Sequence, residues 1–290
     1  MRRAIFTGLA KIAAWIAGLY AIVIVTMFFA QTWLTFPAYL VPDARPALPS
    51  DARRLDLPTA DGERLHGIWL PSSRPEAADK VIVLAFGGNG WHVEGLALDM
   101  RRHFPDPEVV AFSYRGYRPS SGSPSAAALL ADAVLIHDHV QGKFGPAHVI
   151  AVGYSLGSGI AAYVARERPL AGLILVTPYD ALEAVAQQHY PWAPVRWLFR
   201  HAIPAADFLR GLTIPIAVIA AERDVVVPPA RTAALREAIA KPILDRTIAG
   251  AQHHDIFASE EFADAMATAM AAIVASAASA KAANGSNALR

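Results

Sequence analysis

The 290-residue chain contains no cysteine. That excludes disulfides, thiolate nucleophiles and cysteine-bound zinc. It is compatible with an oxidising compartment but does not indicate one. Charge of one sign is equally scarce. Twenty-six basic residues face 25 acidic ones, leaving +1, and only 18% of the chain is charged. Nucleic-acid binding needs a basic patch, and the composition offers no basic excess to build one. The single glycine-rich run, Phe86-Gly87-Gly88-Asn89-Gly90-Trp91, has no Walker lysine and no G-x-G-x-x-G register, so it does not read as a nucleotide cradle. What the chain has in excess is apolar residues, 54% of the total with a mean hydropathy of +0.31. That is too many for intrinsic disorder. The length allows one large domain or two small ones.

Much of the excess lies at the N-terminus. From Ile12 to Ala30 the sequence reads IAAWIAGLYAIVIVTMFFA, 19 residues without a charge, and none follows before Asp43. A membrane-spanning helix needs about 20 mostly apolar residues. This one is apolar all round rather than along one stripe. Arg2, Arg3 and Lys11 precede it, and Trp33 and Tyr39 stand where interfacial aromatics belong. The pattern predicts a cytoplasmic N-terminus over 1–11, a transmembrane signal anchor over 12–32, and the remainder outside, periplasmic or extracytoplasmic. A cleaved signal peptide is the alternative, but its apolar region is usually roughly 7–15 residues. A proline-rich linker fills 33–53, a catalytic domain occupies 54–270, and 271–290 reads as a fraying helix and disordered alanine-rich tail.

The body alternates short apolar runs with helical stretches. Lys80–Phe86, Glu108–Tyr114, Ala147–Gly153, Gly172–Thr177 and Ile214–Ala221 are nearly unbroken apolar runs. Strands buried on both faces of a parallel sheet have this pattern. Helices are expected at Val93–His103, Pro124–Val140, Leu156–Arg166 and Pro229–Ala240. An earlier hairpin is expected at Arg54–Thr59 and Arg64–Leu70, around Asp61-Gly62. The fold class is therefore α/β: a mostly parallel central sheet flanked by helices, with ligands at the carboxyl ends of the strands.

Those ends carry the chemistry. Gly153-Tyr154-Ser155-Leu156-Gly157 is a G-x-S-x-G run between a buried strand and a helix. There a serine hydroxyl is exposed on a tight turn, at the positive end of a helix dipole. A serine nucleophile needs a base, and the base an orienting carboxylate, in the chain order Ser, acid, His. Asp224 follows the strand ending at Ala221, with Glu222 as local competitor. Either His253 or His254 can serve as base. Adjacent histidines seldom converge on one ion, so no metal is expected. The backbone N–H groups of Leu156 and Asn89 are the candidate oxyanion donors. Gly88, Trp91, Tyr117, Tyr154 and Tyr179 are the candidate substrate-binding residues.

With these elements in order, the stretch from Leu34 to Phe257 resembles the α/β-hydrolase superfamily, and within it the Bem46-like membrane-anchored serine hydrolases. That group's F-H-G-N-A-G loop corresponds to Phe86–Gly90. Its Y-R-G-Y-G-x-S-x-G-x-P segment corresponds to Tyr114–Pro124, and its S-P-F-D-S stretch to Thr177–Ala181. Its G-x-x-D-x-x-V-P puts the acid on Asp224, and its G-A-G-H-N-D puts the base on His253. The chain departs at Gly87, which stands where the group has histidine.

The resemblance implies an enzyme without cofactor that cleaves carboxylic ester or thioester bonds through an acyl-enzyme. Its expected partners are the membrane and a small-molecule ester or lipid, not nucleic acid or metal. The alternatives are a serine peptidase or amidase on the same fold, and a non-catalytic membrane-tethered binding protein. The roughly 35 residues between Thr177 and Ile214 leave room for a small cap. Its Tyr190, Trp192, Trp197, Leu198 and Phe199 line an acyl pocket, touch the bilayer, or are simply packed.

Overall fold

The structure, a computed structural model, describes residues 2–74 and 80–287. It opens with one long helix, α1 (Arg2–Thr35), followed by a 3-10 turn at Ala38–Leu40. Then come β1 (Arg53–Pro58), β2 (Arg64–Leu70), β3 (Val81–Phe86), α2 (Val93–His103), β4 (Glu108–Phe112), α3 (Ala126–Phe144), β5 (His148–Tyr154) and α4 (Leu156–Glu167). The second half contains β6 (Gly172–Val176), α5 (Leu182–His189), α6 (Val195–Leu198), α7 (Ala205–Leu209), β7 (Ile216–Ala221), α8 (Pro229–Arg236), β8 (Leu244–Ile248) and α9 (Glu260–Asn287).

The eight strands form one sheet in the order β1-β2-β4-β3-β5-β6-β7-β8. The β1–β2 hairpin and the β2–β4 pair are antiparallel, and the other neighbours are parallel. The unbroken apolar runs are the central strands. β4, β6 and β7 are buried along their whole length, because helices cover both faces. α3, α4, α7 and α8 enclose one core and α2 and α9 the other. The hairpin turns at Gly62 with φ +88°, a conformation glycine adopts without a Cβ penalty.

Two expectations need correction. The alanine-rich end is not disordered from 271: α9 runs through Asn287. Alanine is the strongest helix former, and Met266, Ala269 and Ile273 are buried against the sheet, which holds the helix in place. Residues 288–290 lie outside the described residues. Nor is 33–53 simply a linker. α1 continues to Thr35, Phe36 is buried, and its ring meets His201 edge-on at 5.0 Å.

α1 is longer than the expected 12–32 span. The stretch Phe6–Thr35 is long and apolar enough to cross a membrane, with a mean hydropathy of 2.3. Most of its side chains are exposed. One face of its C-terminal half lies against the cap formed by α5 and α6. Gln31 donates to the Leu198 carbonyl at 3.3 Å and accepts from the Arg200 amide at 2.7 Å. Thr32 bonds the His201 ring at 2.9 Å, and Tyr20 donates to the Trp192 carbonyl at 2.9 Å.

Candidate active site

Ser155 sits between the last residue of β5 and the first of α4, at φ +50° and ψ −115°. A non-glycine residue there is strained, and such strain persists only where its surroundings enforce it. The flanking glycines are part of that enforcement. A Cβ on Gly153 would lie 2.3 Å from the Gly157 carbonyl oxygen, and one on Gly157 would lie 2.1 Å from that of Phe86. Only hydrogen fits at either position. The Ser155 amide donates to the Val176 carbonyl at 2.9 Å, which ties the turn to β6.

Asp224 follows β7 and is buried. Its Oδ1 accepts from the amides of Val226 and Val227 at 2.9 and 2.7 Å, which fixes the carboxylate plane. Its Oδ2 stands 2.7 Å from His253 Nδ1, and His253 Nε2 stands 3.0 Å from Ser155 Oγ. An ionised carboxylate only accepts hydrogen bonds. The His253 proton therefore sits on Nδ1, and Nε2 is left to accept from the serine hydroxyl. Ser155, His253 and Asp224 form one continuous chain of hydrogen bonds.

The competitors have other positions. Glu222 is exposed, and its Oε2 accepts from the Gly250 amide at 2.7 Å, bracing the turn that carries His253. His254 is exposed and meets His253 only edge-on, at 5.2 Å between rings.

The loop after β3 approaches the serine at Gly88, where a Cβ would lie 3.4 Å from Ser155 Cβ. Asn89 is held from both sides. Its Nδ2 donates to the Thr35 carbonyl at 3.0 Å, and its Oδ1 accepts from the Tyr117 hydroxyl at 2.7 Å. Tyr114, which the residue reading did not single out, donates to the Gly87 carbonyl at 2.6 Å. Leu156 is the first residue of α4, where backbone N–H groups lack helical partners.

Two of the candidate substrate-binding residues are enclosed by other parts of the protein. Tyr154 is fully buried, with its hydroxyl 3.3 Å from Asp99 and its ring stacked on Trp91 at 5.0 Å. Tyr179 is buried beneath α4, with its hydroxyl 3.3 Å from the Leu156 carbonyl. Burial pushes both phenols above the usual tyrosine range. Tyr154 neighbours Ser155 in sequence, but it points into the α2 and α9 core. Tyr117 is also buried, under Asn89, while Trp91 remains half-buried beside Gly88.

Further out, Arg115 clamps the sheet edge. It pairs with Asp132 through two bonds of 2.9 and 2.7 Å and also bonds Asp61 of the hairpin turn. The guanidinium beside it holds the Asp61 carboxyl down at about 2.

A profile of the alpha/beta hydrolase fold matches residues 80–206. Two relatives from Mycobacterium tuberculosis, uncharacterized proteins MT2364 and Rv2307c, are 32% identical over 245 residues and 33% identical over 217. The first alignment covers 83% of this chain and 86% of the relative, the second 74% and 76%. The chain belongs to the α/β-hydrolase superfamily. A further relative, the lysophosphatidylserine lipase ABHD12 of Danio rerio, is 32% identical over 138 residues, 41% of this chain and 36% of the lipase.

Among solved α/β-hydrolase structures, Est1E from Butyrivibrio proteoclasticus with ferulic acid bound superimposes with a TM-score of 0.63 at 16% identity. It covers 76% of this chain and 99% of its own. The Pyrococcus furiosus esterase Pf2001 superimposes at 0.60 and 14% identity, over 79% and 97% of the two chains. At these identities the likeness is one of fold. The profile and the solved structures agree that the chain has the α/β-hydrolase fold.

Proposed function

We propose that the chain is a membrane-tethered serine hydrolase of the Bem46-like group that cleaves carboxylic ester or thioester bonds through an acyl-enzyme. The observation that carries this reading is the hydrogen-bonded series from Ser155 Oγ through His253 to Asp224. Ser155 Oγ attacks the substrate carbonyl carbon, and its proton passes to His253 Nε2. Asp224 holds the imidazole in the required tautomer and stabilises the imidazolium. The tetrahedral oxyanion is met by the backbone N–H groups of Leu156 and Asn89. As it collapses, the bond to the leaving group breaks, and His253 returns the proton to that group. Water then attacks the acyl carbon with His253 as base, which releases the acid and restores Ser155.

The N-terminus lies in the cytoplasm and the hydrolase domain outside, tethered by α1 as a signal anchor. Substrate is an ester that partitions into membranes, a class that includes the lysophospholipid named for the lipase relative. Gly88 and Trp91 border its reacting carbonyl. The test is a panel of acyl esters, thioesters and amides presented to the detergent-solubilised protein, with fluorophosphonate labelling alongside. Ester turnover and labelling that both vanish in Ser155→Ala support the reading. Ester hydrolysis that survives in Ser155→Ala would sink it, and preferential amide cleavage would move it to the peptidase class.

A further inference from the structure

The sequence treats α1 as a tether. Its position on the cap says more. A buried polar side chain in an apolar membrane helix is costly unless it is satisfied, and it faces protein rather than lipid. Gln31 is only 7% exposed, and its bonds run either to its own helix or to the Leu198–Arg200 segment at the end of α6. The Arg200 guanidinium lies over the Phe28 ring at 4.7 Å. This face of α1 is therefore a protein-facing surface.

Between that face and the cap is a cavity of about 400 Å³. Ile24, Met27 and Phe28 of α1 form one wall, and Leu182, Val185 and Leu198 form the opposite one. Two of its lining residues are bonded to residues that adjoin the site. At one side Thr35 accepts from Asn89, in the loop that approaches Ser155. At another His189 bonds the Val226 carbonyl at 2.8 Å, and the Val226 amide donates to Asp224. Tyr20 and Trp192 meet near the cavity, with Trp192 and Trp197 exposed, as aromatics at a membrane–water interface are. A larger hollow of about 1050 Å³ lies beside Val81 and Glu108, at the opposite ends of the strands from Ser155.

We propose that α1 is a wall of the substrate site: the acyl chain of a membrane-derived ester lies between α1 and the α5–α6 cap, its carbonyl delivered to Ser155. This rests on the serine-hydrolase reading above. It makes the apolar helix a determinant of chain-length preference as well as a tether.

The experiment uses the full chain in nanodiscs and a fluorophosphonate with a long alkyl tail ending in a photoreactive diazirine. Ser155 Oγ displaces fluoride from phosphorus, so the tail is anchored at the nucleophile before irradiation. Cross-links at Ile24, Met27 or Phe28 are expected. Labelled Ser155 with cross-links elsewhere and none on α1 overturns the proposal and leaves the hydrolase reading standing. No labelling at Ser155 removes both.

A second measurement compares laurate and butyrate esters in Val185→Trp, which fills the cavity. The laurate-to-butyrate ratio of kcat/KM should fall about tenfold, as expected from lost burial of roughly two methylenes. The control is Ile22→Trp, an exposed α1 position outside the cavity lining. An unchanged ratio in Val185→Trp, or an equal fall in both variants, counts against the proposal.

Discussion

The Asn89 side-chain amide donates to the Thr35 main-chain carbonyl at 3.0 Å. The last residue of the apolar helix is thereby bonded to the loop beside Ser155, whose other side is held by Tyr117. Removing this brace leaves the serine chain intact but loosens the backbone proposed to meet the oxyanion. Asn89→Ala should lower kcat about tenfold with KM little changed, less than the roughly 10²–10³ seen when an oxyanion donor is deleted outright. Asn89→Asp, which can still accept from Tyr117, should fall between. Steady-state kinetics on a short-chain ester check this. A rise in KM alone would contradict it.

The two adjacent histidines should separate cleanly. His253→Ala removes the proposed base and should reduce kcat by at least about 10⁴. His254→Ala removes an exposed ring and should stay within about twofold. The carboxylates should separate the same way. Asp224→Asn costs about 10⁴ by reversing the imidazole tautomer. Glu222→Gln keeps an acceptor for Gly250 and leaves turnover near wild type. Parallel rate measurements on the four purified variants decide it.

Glycine substitutions should divide by what surrounds them. Gly157→Ala places a methyl 2.1 Å from the Phe86 carbonyl oxygen. Overpacking against fixed backbone should destabilise by about 3 kcal/mol or more, or prevent folding. Gly142→Ala lies in α3 with nothing within 4 Å of the added carbon. It should be neutral or stabilising by up to about 1 kcal/mol. Denaturation midpoints of the two variants test the contrast.

The Asp61–Arg115 contact predicts an acid-dependent loss of stability. Asp61 is held at about 2, below its ordinary 3.8. A depressed carboxyl stabilises the fold above its unfolded value, and that contribution fades as pH falls through the folded one. Urea midpoints should therefore drop more steeply from pH 3.8 toward 2 in the wild type than in Asp61→Asn. Identical pH slopes would remove Asp61 from the account.

The places of the central strands along the chain and the position of Ser155 were legible in the sequence because both are local properties. Unbroken apolar runs report strands buried on two faces, and a glycine on either side of a serine reports a turn with no room for a Cβ. The directions of Tyr154 and Tyr179 were not legible, because proximity along the chain does not give side-chain direction. One points into the core on the α2 side of the sheet, and the other lies beneath α4. Alanine-rich composition misled at 271 because it cannot show that Ile273 has a core to enter.

By itself the sequence determined the α/β architecture, the apolar N-terminal helix and the strained serine turn, since each follows from periodicity or from local steric limits. Its residues favoured Asp224 over Glu222 but left His253 against His254 open, a choice that had to rest on resemblance to a family. Tertiary structure placed His253 on Ser155 across 98 positions of chain and seated Gln31 beside Arg200 across 169. Contacts at that separation depend on how the layers pack, and no local pattern encodes them.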